Sequence, residues 1–494
     1  MHRFVVYPPK ALRPHIDLRG AHLLGNDGIP IRGEIKLVGN EIHCRARTSD
    51  PCALSLLWPV PGFGTVQLET TRLPERREPY ILNVELARHR LMRISIKREE
   101  WGLFDYRGME DLSAQIEQAR ERFVTALEHS DSPAKAAQLA DESLQVSSDV
   151  ADRMCQFHAS IFLGRRQQGN GFRGDLFGAA VSPSLSPDRL SPAVSKLLNF
   201  VRIPLVWREI QPKENAERFD SVDAWVKACR AARLSIKGGP LLQFGVRAVP
   251  DWMYVWENDF ETILDYARQH IQRCVRRYAD RVSAWIVASG LHADCVFSFN
   301  FEQIMEITRT AAVTARELAP RAQVVLDITQ PWGEYFARNP RSIPPLLYAD
   351  MVIQSGIPVD AFGVQFLFGI DSEGYHLRDM LQISALIDRL AGFGKPLHIT
   401  AVAVPSNPPD SDPFSAGGQW RQAWSEEAQA AWLVAFCEVA LSKPYVESVC
   451  LHSLVDDQTE TIPSSGIFRA DGSPKPAFES LRGFAQGLAG ESRP

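Results

Sequence analysis

Carboxyl side chains that follow short apolar segments are the groups in this sequence best suited to acid and base chemistry. Asp327 ends one such segment, Glu334 follows shortly after it, and Asp456 follows another segment near the C terminus. A carboxyl group at the end of a buried strand can exchange a proton with a bound substrate. The simpler interpretation is structural, with Asp327 holding neighbouring groups by hydrogen bonds and Asp456 capping a loop. The pattern alone favours this structural interpretation.

Histidines at the ends of predicted strands raise the separate question of a metal site. His292, His398 and His452 are placed in this way, with Asp294 close to the first of them. No His-x-His or His-Glu-x-x-His pattern connects them, and such local spacing is typical of zinc sites. We therefore predict no metal and no cofactor.

Alternating strand and helix patterns must position these groups. From residue 169 to the C terminus, short apolar segments alternate with amphipathic helical segments, an arrangement that predicts a (β/α)8 barrel of the α/β class. The predicted strands are Leu176–Val181, Phe200–Val206, Ser235–Leu242, Val282–Ala288, Gln323–Ile328, Ala361–Phe366, Leu397–Val402 and Ser448–Leu454. The carboxyl ends of such strands surround the active site of a barrel enzyme.

Two further units precede the barrel. Residues 1–105 contain short alternating segments separated by turn residues, which predict a β-sandwich. Its predicted strands are Ile35–Val38, Ile42–Arg47, Ala53–Leu57, Thr65–Leu68, Tyr80–Glu85 and Arg90–Lys97. Residues 106–168 carry two helical patterns separated by a Ser-Pro helix start at 132–133, which predicts a helical hairpin that links the sandwich to the barrel.

Several barrel segments resemble the family-10 glycoside hydrolases, the endo-β-1,4-xylanase family. Trp285–Gly290 is similar to the family's fourth-strand motif Trp-Asp-Val-Val-Asn-Glu, and His398–Ala401 to its seventh-strand Ile-Thr-Glu. The C-terminal segment SSGIFRADGSPKPAFESL follows the family's Gly-Leu-Phe-x-x-Asp-Gly-x-x-Lys-Pro-Ala-Tyr. In the family the two glutamates are the acid/base and the nucleophile. The resemblance places them at Gly290 and Ala401, which cannot ionise.

Other polar positions of the family are also altered. Gln365 matches a family glutamine after the sixth strand, but Leu367 stands where the family has histidine. The Glu-Asn…Lys set after the second strand has no counterpart, and His452 lies near the position of a family tryptophan. If a ligand binds at the barrel mouth, we expect it to contact Trp207, Gln243, His292, Asp327, Trp332, Gln365 and His452.

Three functional hypotheses follow. The first is an inactive pseudo-glycosidase that binds carbohydrate or another small polar ligand, or serves as an assembly or regulatory subunit. The second is an active glycoside hydrolase that uses relocated acids, with Asp327, Glu334 and Asp456 as candidates. The third is a structural interaction protein with a plugged barrel.

Composition restricts the partners and the compartment. A net charge of −5 and a pI near 6.2 give no reason to expect nucleic acid or a membrane as partner. The N terminus lacks the pattern of a secretory signal, and eight cysteines occur without a Cys-x-x-Cys pair, so we predict a cytoplasmic protein. A protein partner or a homo-oligomer remains open, and the long loop 405–424 is expected to be a lid or a partner surface.

Overall fold

Two small β-sheets form the N-terminal part of the chain. In the computed structural model, which describes residues 1–7, 17–169, 171–172, 174–182, 185–187, 194–339, 341–408, 412–457 and 461–488, they join in the orders β4-β5-β1-β8 and β7-β6-β2-β3. Their strands are β1 (His2–Val5), β2 (His22–Leu24), β3 (Pro30–Ile31), β4 (Gly33–Val38), β5 (Glu41–Ala46), β6 (Ala53–Val60), β7 (Gly64–Glu69) and β8 (Tyr80–Ile81). Apart from the parallel pair β1–β8, neighbouring strands are antiparallel. An all-β unit before the barrel is confirmed.

A helix replaces the last two strands predicted for this unit. The predictions for Tyr80–Glu85 and Arg90–Lys97 were wrong, because α1 (Leu82–Glu100) occupies both segments beyond the short β8. The buried face of α1 includes Arg90 and Lys97, which pair with Asp379 and Asp388 of the barrel. Charged groups on a buried helical face disguise the helical period, and the remaining pattern resembles the alternation of a strand.

The predicted helical hairpin is present. It consists of α2 (Glu110–Glu128) and α3 (Pro133–Gln168), with Pro133 at the first helical position of α3. Its buried residues belong to the same continuous core as the sheets and the barrel helices. The hairpin is therefore part of the folded body. No helix in the described ranges has the length and apolar character of a membrane-spanning segment.

Eight parallel strands close into a barrel in the order β10-β11-β12-β13-β14-β15-β17-β9. The strands are β9 (Phe177–Ala180), β10 (Phe200–Ile203), β11 (Ser235–Gly238), β12 (Ala284–Ser289), β13 (Gln323–Ile328), β14 (Ala361–Leu367), β15 (Leu397–Ala403) and β17 (Val446–Leu451). The helices are α4 (Trp207–Ile210), α5 (Asp220–Ala231), α6 (Phe260–Tyr278), α7 (Phe301–Leu318), α8 (Pro345–Gln354), α9 (Met380–Ala391), α10 (Glu426–Ser442) and α11 (Pro476–Leu488). The predicted (β/α)8 barrel is confirmed, and each predicted strand overlaps an observed one.

The N-terminal unit docks on loops at the carboxyl ends of the barrel strands. In the loop after β15, a two-residue strand β16 (Gln419–Trp420) pairs antiparallel with β7 and extends the N-terminal sheet. After β14, the backbone oxygen of Leu377 accepts a hydrogen bond of 2.8 Å from the backbone nitrogen of Gln67. The loop 405–424 therefore contacts the chain's own β unit.

Candidate active site at the mouth of the barrel

Asp327 lies on β13, inside the carboxyl end of the barrel. Its carboxylate accepts hydrogen bonds from the side chains of Ser289 (2.6 Å), Gln365 and Thr400, each on a different strand. The side chain is fully buried. Burial raises the pKa of Asp327, although the donors from Ser289 and Thr400 act in the opposite direction. Asp327 is thus a carboxyl group with a raised pKa and also the centre, called the hub below, of hydrogen bonds from three neighbouring strands.

The two positions assigned by the family resemblance flank this carboxylate. Gly290 directly follows β12, next to the Ser289 donor, and Ala401 lies on β15, next to the Thr400 donor. The seventh barrel strand therefore carries Ala401, and Gly290 lies immediately beyond the fourth. Gly290 has a φ of 72°, in the left-handed region that side-chain-bearing residues seldom adopt.

Ala401 lies in a small buried cluster of apolar side chains. Ala401 and Ile462 are both 0% exposed and form one cluster with Leu367 and Ala403. Ile462 belongs to the loop after the eighth strand, and Tyr375 packs against the same cluster. Leu367, which stands where the family has histidine, is thus part of this buried apolar cluster.

The other two relocated candidates hold loops in place. Glu334 is buried and pairs with Arg378, and it also accepts 2.8 Å from the backbone nitrogen of Gly374. Burial raises its pKa, but Arg378 and His376 outweigh burial and keep the pKa well below the usual value. Asp456 pairs with Lys475 at 2.8 Å. Both carboxylates are already committed to ion pairs.

Two basic side chains in the barrel interior were missed by the sequence analysis. Arg202 on β10 is 7% exposed, lies beside Asp327 and Cys450, and has an Nε without a hydrogen-bond partner among the described residues. Lys237 on β11 donates 2.7 Å to the Ser448 hydroxyl, and burial lowers its pKa to about 8. The sequence signal that could have revealed them is a single charged residue inside each of two short apolar strands.

Trp207 and His292 need correction as ligand contacts. Trp207 is 1% exposed and stacks on His270 of α6, with ring centroids 4.9 Å apart. His292 is fully buried and stacks on Tyr348 of α8 at 5.0 Å. Both rings point toward the outer helices, so neither offers a surface to a ligand at the mouth.

The remaining predicted contacts are divided between two places. Gln365 donates a hydrogen bond from its side-chain amide to Asp327. His452 is half-buried and directly follows β17, and its buried Nδ1 has no hydrogen-bond partner in the described ranges. Gln243 is half-buried in the loop after β11. Trp332 lies in the loop after β13 and lines a cavity between the N-terminal unit and the barrel. Across the described ranges, no three His, Cys, Asp or Glu side chains converge as metal ligands.

Residues 174–483 match the model of the family described as Glycosyl hydrolase family 10. The chain is similar to an endo-1,4-beta-xylanase/feruloyl esterase of Xylanibacter ruminicola, with 24% identity over 47% of this chain and 34% of that protein. It is also similar to endo-1,4-beta-xylanase B of Paenibacillus barcinonensis, with 23% identity over 39% of this chain and 58% of that protein. The chain thus spans between a third and three fifths of the length of these relatives.

Solved structures agree on the architecture. Native xylanase10C from Cellvibrio japonicus has a TM-score of 0.51 at 20% identity, covering 65% of this chain and 72% of that one. A mutant of the same enzyme in complex with xylopentaose has a TM-score of 0.50 at 21% identity, covering 65% and 69%. At this level of identity the likeness establishes the barrel fold.

Proposed function

The chain belongs to glycosyl hydrolase family 10, and we propose that it is a member that does not hydrolyse glycosides and serves as an assembly or regulatory subunit. A retaining glycosidase needs two carboxyl groups about 5–5.5 Å apart, one as nucleophile and one as acid/base. By resemblance these roles fall on Gly290 and Ala401, whose side chains carry no proton-exchanging group. Loss of both groups removes the double-displacement route.

The burial of Ala401 is the observation that carries this proposal. The residue is 0% exposed beneath Ile462 and Leu367, so a sugar placed over the nucleophile position would have to displace a packed apolar cluster. A mouth filled in this way favours an interaction role, the third of the hypotheses, over a sugar cleft. The N-terminal unit docked on the neighbouring loops supports the same view.

A relocated acid pair is the second candidate. Asp327 lies beside both family positions, and burial raises its pKa. Asp294, in the loop directly after Gly290, also has a pKa raised by burial, while its backbone nitrogen donates 2.9 Å to the Gly290 oxygen. A raised pKa is the property that a general acid requires near neutral pH.

The test is release of reducing sugar from xylan by the purified protein, together with calorimetric titration of xylopentaose. We expect no release above that of a heat-inactivated sample and no saturable binding of xylopentaose. Asp327→Asn and Asp294→Asn are measured in parallel, and Glu334→Gln and Asp456→Asn examine the other two relocated candidates.

Each outcome separates the hypotheses. Hydrolysis that Asp327→Asn or Asp294→Asn abolishes would contradict the proposal and identify the relocated acid. Saturable xylopentaose binding without hydrolysis would support the proposed lack of activity. It would contradict the proposed assembly or regulatory role and indicate a carbohydrate-binding protein instead.

A further inference from the structure

We propose that a cavity between the N-terminal unit and the barrel binds a small organic anion, a carboxylate or a phosphate carried on an apolar ring or chain. The cavity has a volume of about 350 Å³ and is lined by the loop between β2 and β3, the end of β7, α1, the loops after β13, and α9. Volumes of this size are typical of sites for small molecules. Gly290, Asp327 and Ala401 are not among the residues that line this cavity. The inference therefore does not depend on whether the barrel hydrolyses glycosides.

Arginines without carboxylate partners provide the charge. Arg72, Arg93 and Arg389 line the cavity, and none of them forms an ion pair with a carboxylate of the described residues. Arg72 donates to the Asn26 side chain, and Arg389 donates 3.0 Å to the backbone oxygen of Asp27. Guanidinium groups bind carboxylate and phosphate through paired N–H donors.

The acidic groups of the cavity do not cancel this charge. Glu69 is engaged by Arg378 at 3.3 Å, and the fourth lining arginine, Arg90, is paired with Asp379. Asp27 lies near Arg389 without forming an ion pair. Burial lowers the pKa of Arg389 and the charge of Arg93 adds to this, while Asp27 and Glu69 act in the opposite direction. The balance of the unpaired groups is positive.

The apolar part of the lining sets the second requirement. It comprises Trp332, Pro344, Pro345, Leu346, Leu386 and Met92. Trp332 is only half-buried, and its ring contacts Phe366, Phe368 and the Arg378 guanidinium. A flat or aliphatic group placed against these side chains removes apolar surface from water, so a bare inorganic anion leaves part of the cavity unused.

Calorimetric titrations at constant ionic strength test the proposal with phenyl phosphate, benzoate, inorganic phosphate and benzyl alcohol as probes. We expect saturable binding of phenyl phosphate or benzoate, with the tighter of the two identifying the preferred head group. Inorganic phosphate and benzyl alcohol, each with half of the required features, are expected to bind at least about ten-fold more weakly, equivalent to about 1.4 kcal/mol.

Variants then locate the site. The double change Arg93→Gln plus Arg389→Gln is expected to weaken binding of the organic anion at least about ten-fold, through loss of charge-assisted hydrogen bonds. Arg276→Gln removes an exposed arginine of α6 that forms no ion pair with a carboxylate of the described residues, and it is expected to leave binding unchanged. Three results would overturn the proposal: no saturable binding by the wild type up to about 10 mM, equal affinity for inorganic phosphate, or a double variant that binds like the wild type.

Discussion

At the scale of single residues, the mouth of the barrel combines a polar hub with two positions that cannot act as acids. Asp327 holds three strands together through Ser289, Gln365 and Thr400. Gly290 and Ala401 stand directly beside two of those donors. Both positions are next in sequence to donors of a buried hydrogen-bond network, so restoring glutamates there changes an environment that is already packed.

Restoring the two glutamates is expected to destabilise the protein without creating activity. Gly290→Glu places a side chain on a backbone with φ of 72°, a strain of about 1–3 kcal/mol. Ala401→Glu buries a carboxyl among Leu367 and Ile462, where the uncompensated group costs several kcal/mol more. Urea denaturation and reducing-sugar release from xylan measure the two effects.

Gly483→Glu is the matched control for the glycine change. Gly483 lies on α11, and a side-chain carbon built there meets no atom within 4 Å. This variant is expected to be as stable as the wild type or slightly more stable, because glycine is a poor helix former. Xylan hydrolysis by the variant with both glutamates would contradict our account of the mouth.

Residue types could be placed on strands from the sequence, but side-chain direction could not. Gly290 and Ala401 were located correctly because whole motifs fixed their strands. Trp207 and His292 also lie beyond strand ends, yet each turns toward an outer helix, to His270 and to Tyr348. Partners far away in the sequence decide that direction, and neither spacing nor composition contains this information.

At the scale of elements, strands and helices with regular periods were predictable and α1 was not. Segments such as α6 and α7 carry an apolar stripe at helical spacing that faces the core. In α1 the buried face includes Arg90 and Lys97, whose partners are the N-cap residue of α9, Asp379, and Asp388 within that helix. A buried ion pair cannot be recognised before its partner is known, so this face was taken for one side of a strand.

Helix α3 contains a buried carboxyl that should make stability depend on pH. Asp152 accepts 2.8 Å from the Trp420 indole and 3.3 Å from the Met380 backbone nitrogen. Burial, followed by the nearby Asp379, raises the pKa of Asp152 to about 7. Between the ordinary carboxyl pKa near 4 and this value, the folded state holds more protons than the unfolded state. The contribution of Asp152 to the free energy of unfolding therefore falls as pH rises through this interval.

Asp152→Asn is expected to remove this dependence. Relative to the wild type, its free energy of unfolding should rise by about 4 kcal/mol between pH 4 and pH 8, at about 1.4 kcal/mol per pKa unit. Urea denaturation at several pH values measures the difference. Asp149→Asn removes a partly exposed carboxyl from the same helix and serves as control, and it should change the free energy of unfolding by less than about 1 kcal/mol. Parallel curves for Asp152→Asn and the wild type would show that the folded pKa of Asp152 is ordinary.

At the scale of the whole molecule, a buried ion cluster connects the N-terminal unit with the barrel. Arg378, which is 1% exposed, pairs with Glu69 of β7 at 3.3 Å and with Glu334 after β13. His376 lies 3.5 Å from the Glu334 carboxylate. Arg378, Glu334 and His376 all belong to loops of the barrel, so the Arg378–Glu69 pair is the part of the cluster that joins the two units.

Substitution of Arg378 tests how much of the stability depends on leaving no buried charge of Glu334 without its partner. Arg378→Met is expected to lower the free energy of unfolding by about 3–5 kcal/mol, because Glu334 then remains buried with only His376 as a charged partner. Adding Glu334→Gln should recover part of that loss, and denaturant titration of the four proteins of the cycle measures the coupling. Arg338→Met breaks an exposed pair with Glu373 and should cost less than about 1 kcal/mol. A double variant no more stable than Arg378→Met would refute the proposed dependence.

The two-residue strand β16 has a consequence for synthesis on the ribosome. Gln419 and Trp420 cover the outer edge of β7, whose other neighbour is β6. Roughly 350 residues separate the two partners, so at about 5–20 residues per second the edge waits about 20–70 s for its cover. During that interval the nascent chain presents unpaired backbone groups of the kind that recruit foreign strands. Translation speed and chaperone occupancy should therefore govern the yield of this protein more strongly than the stability of its finished fold.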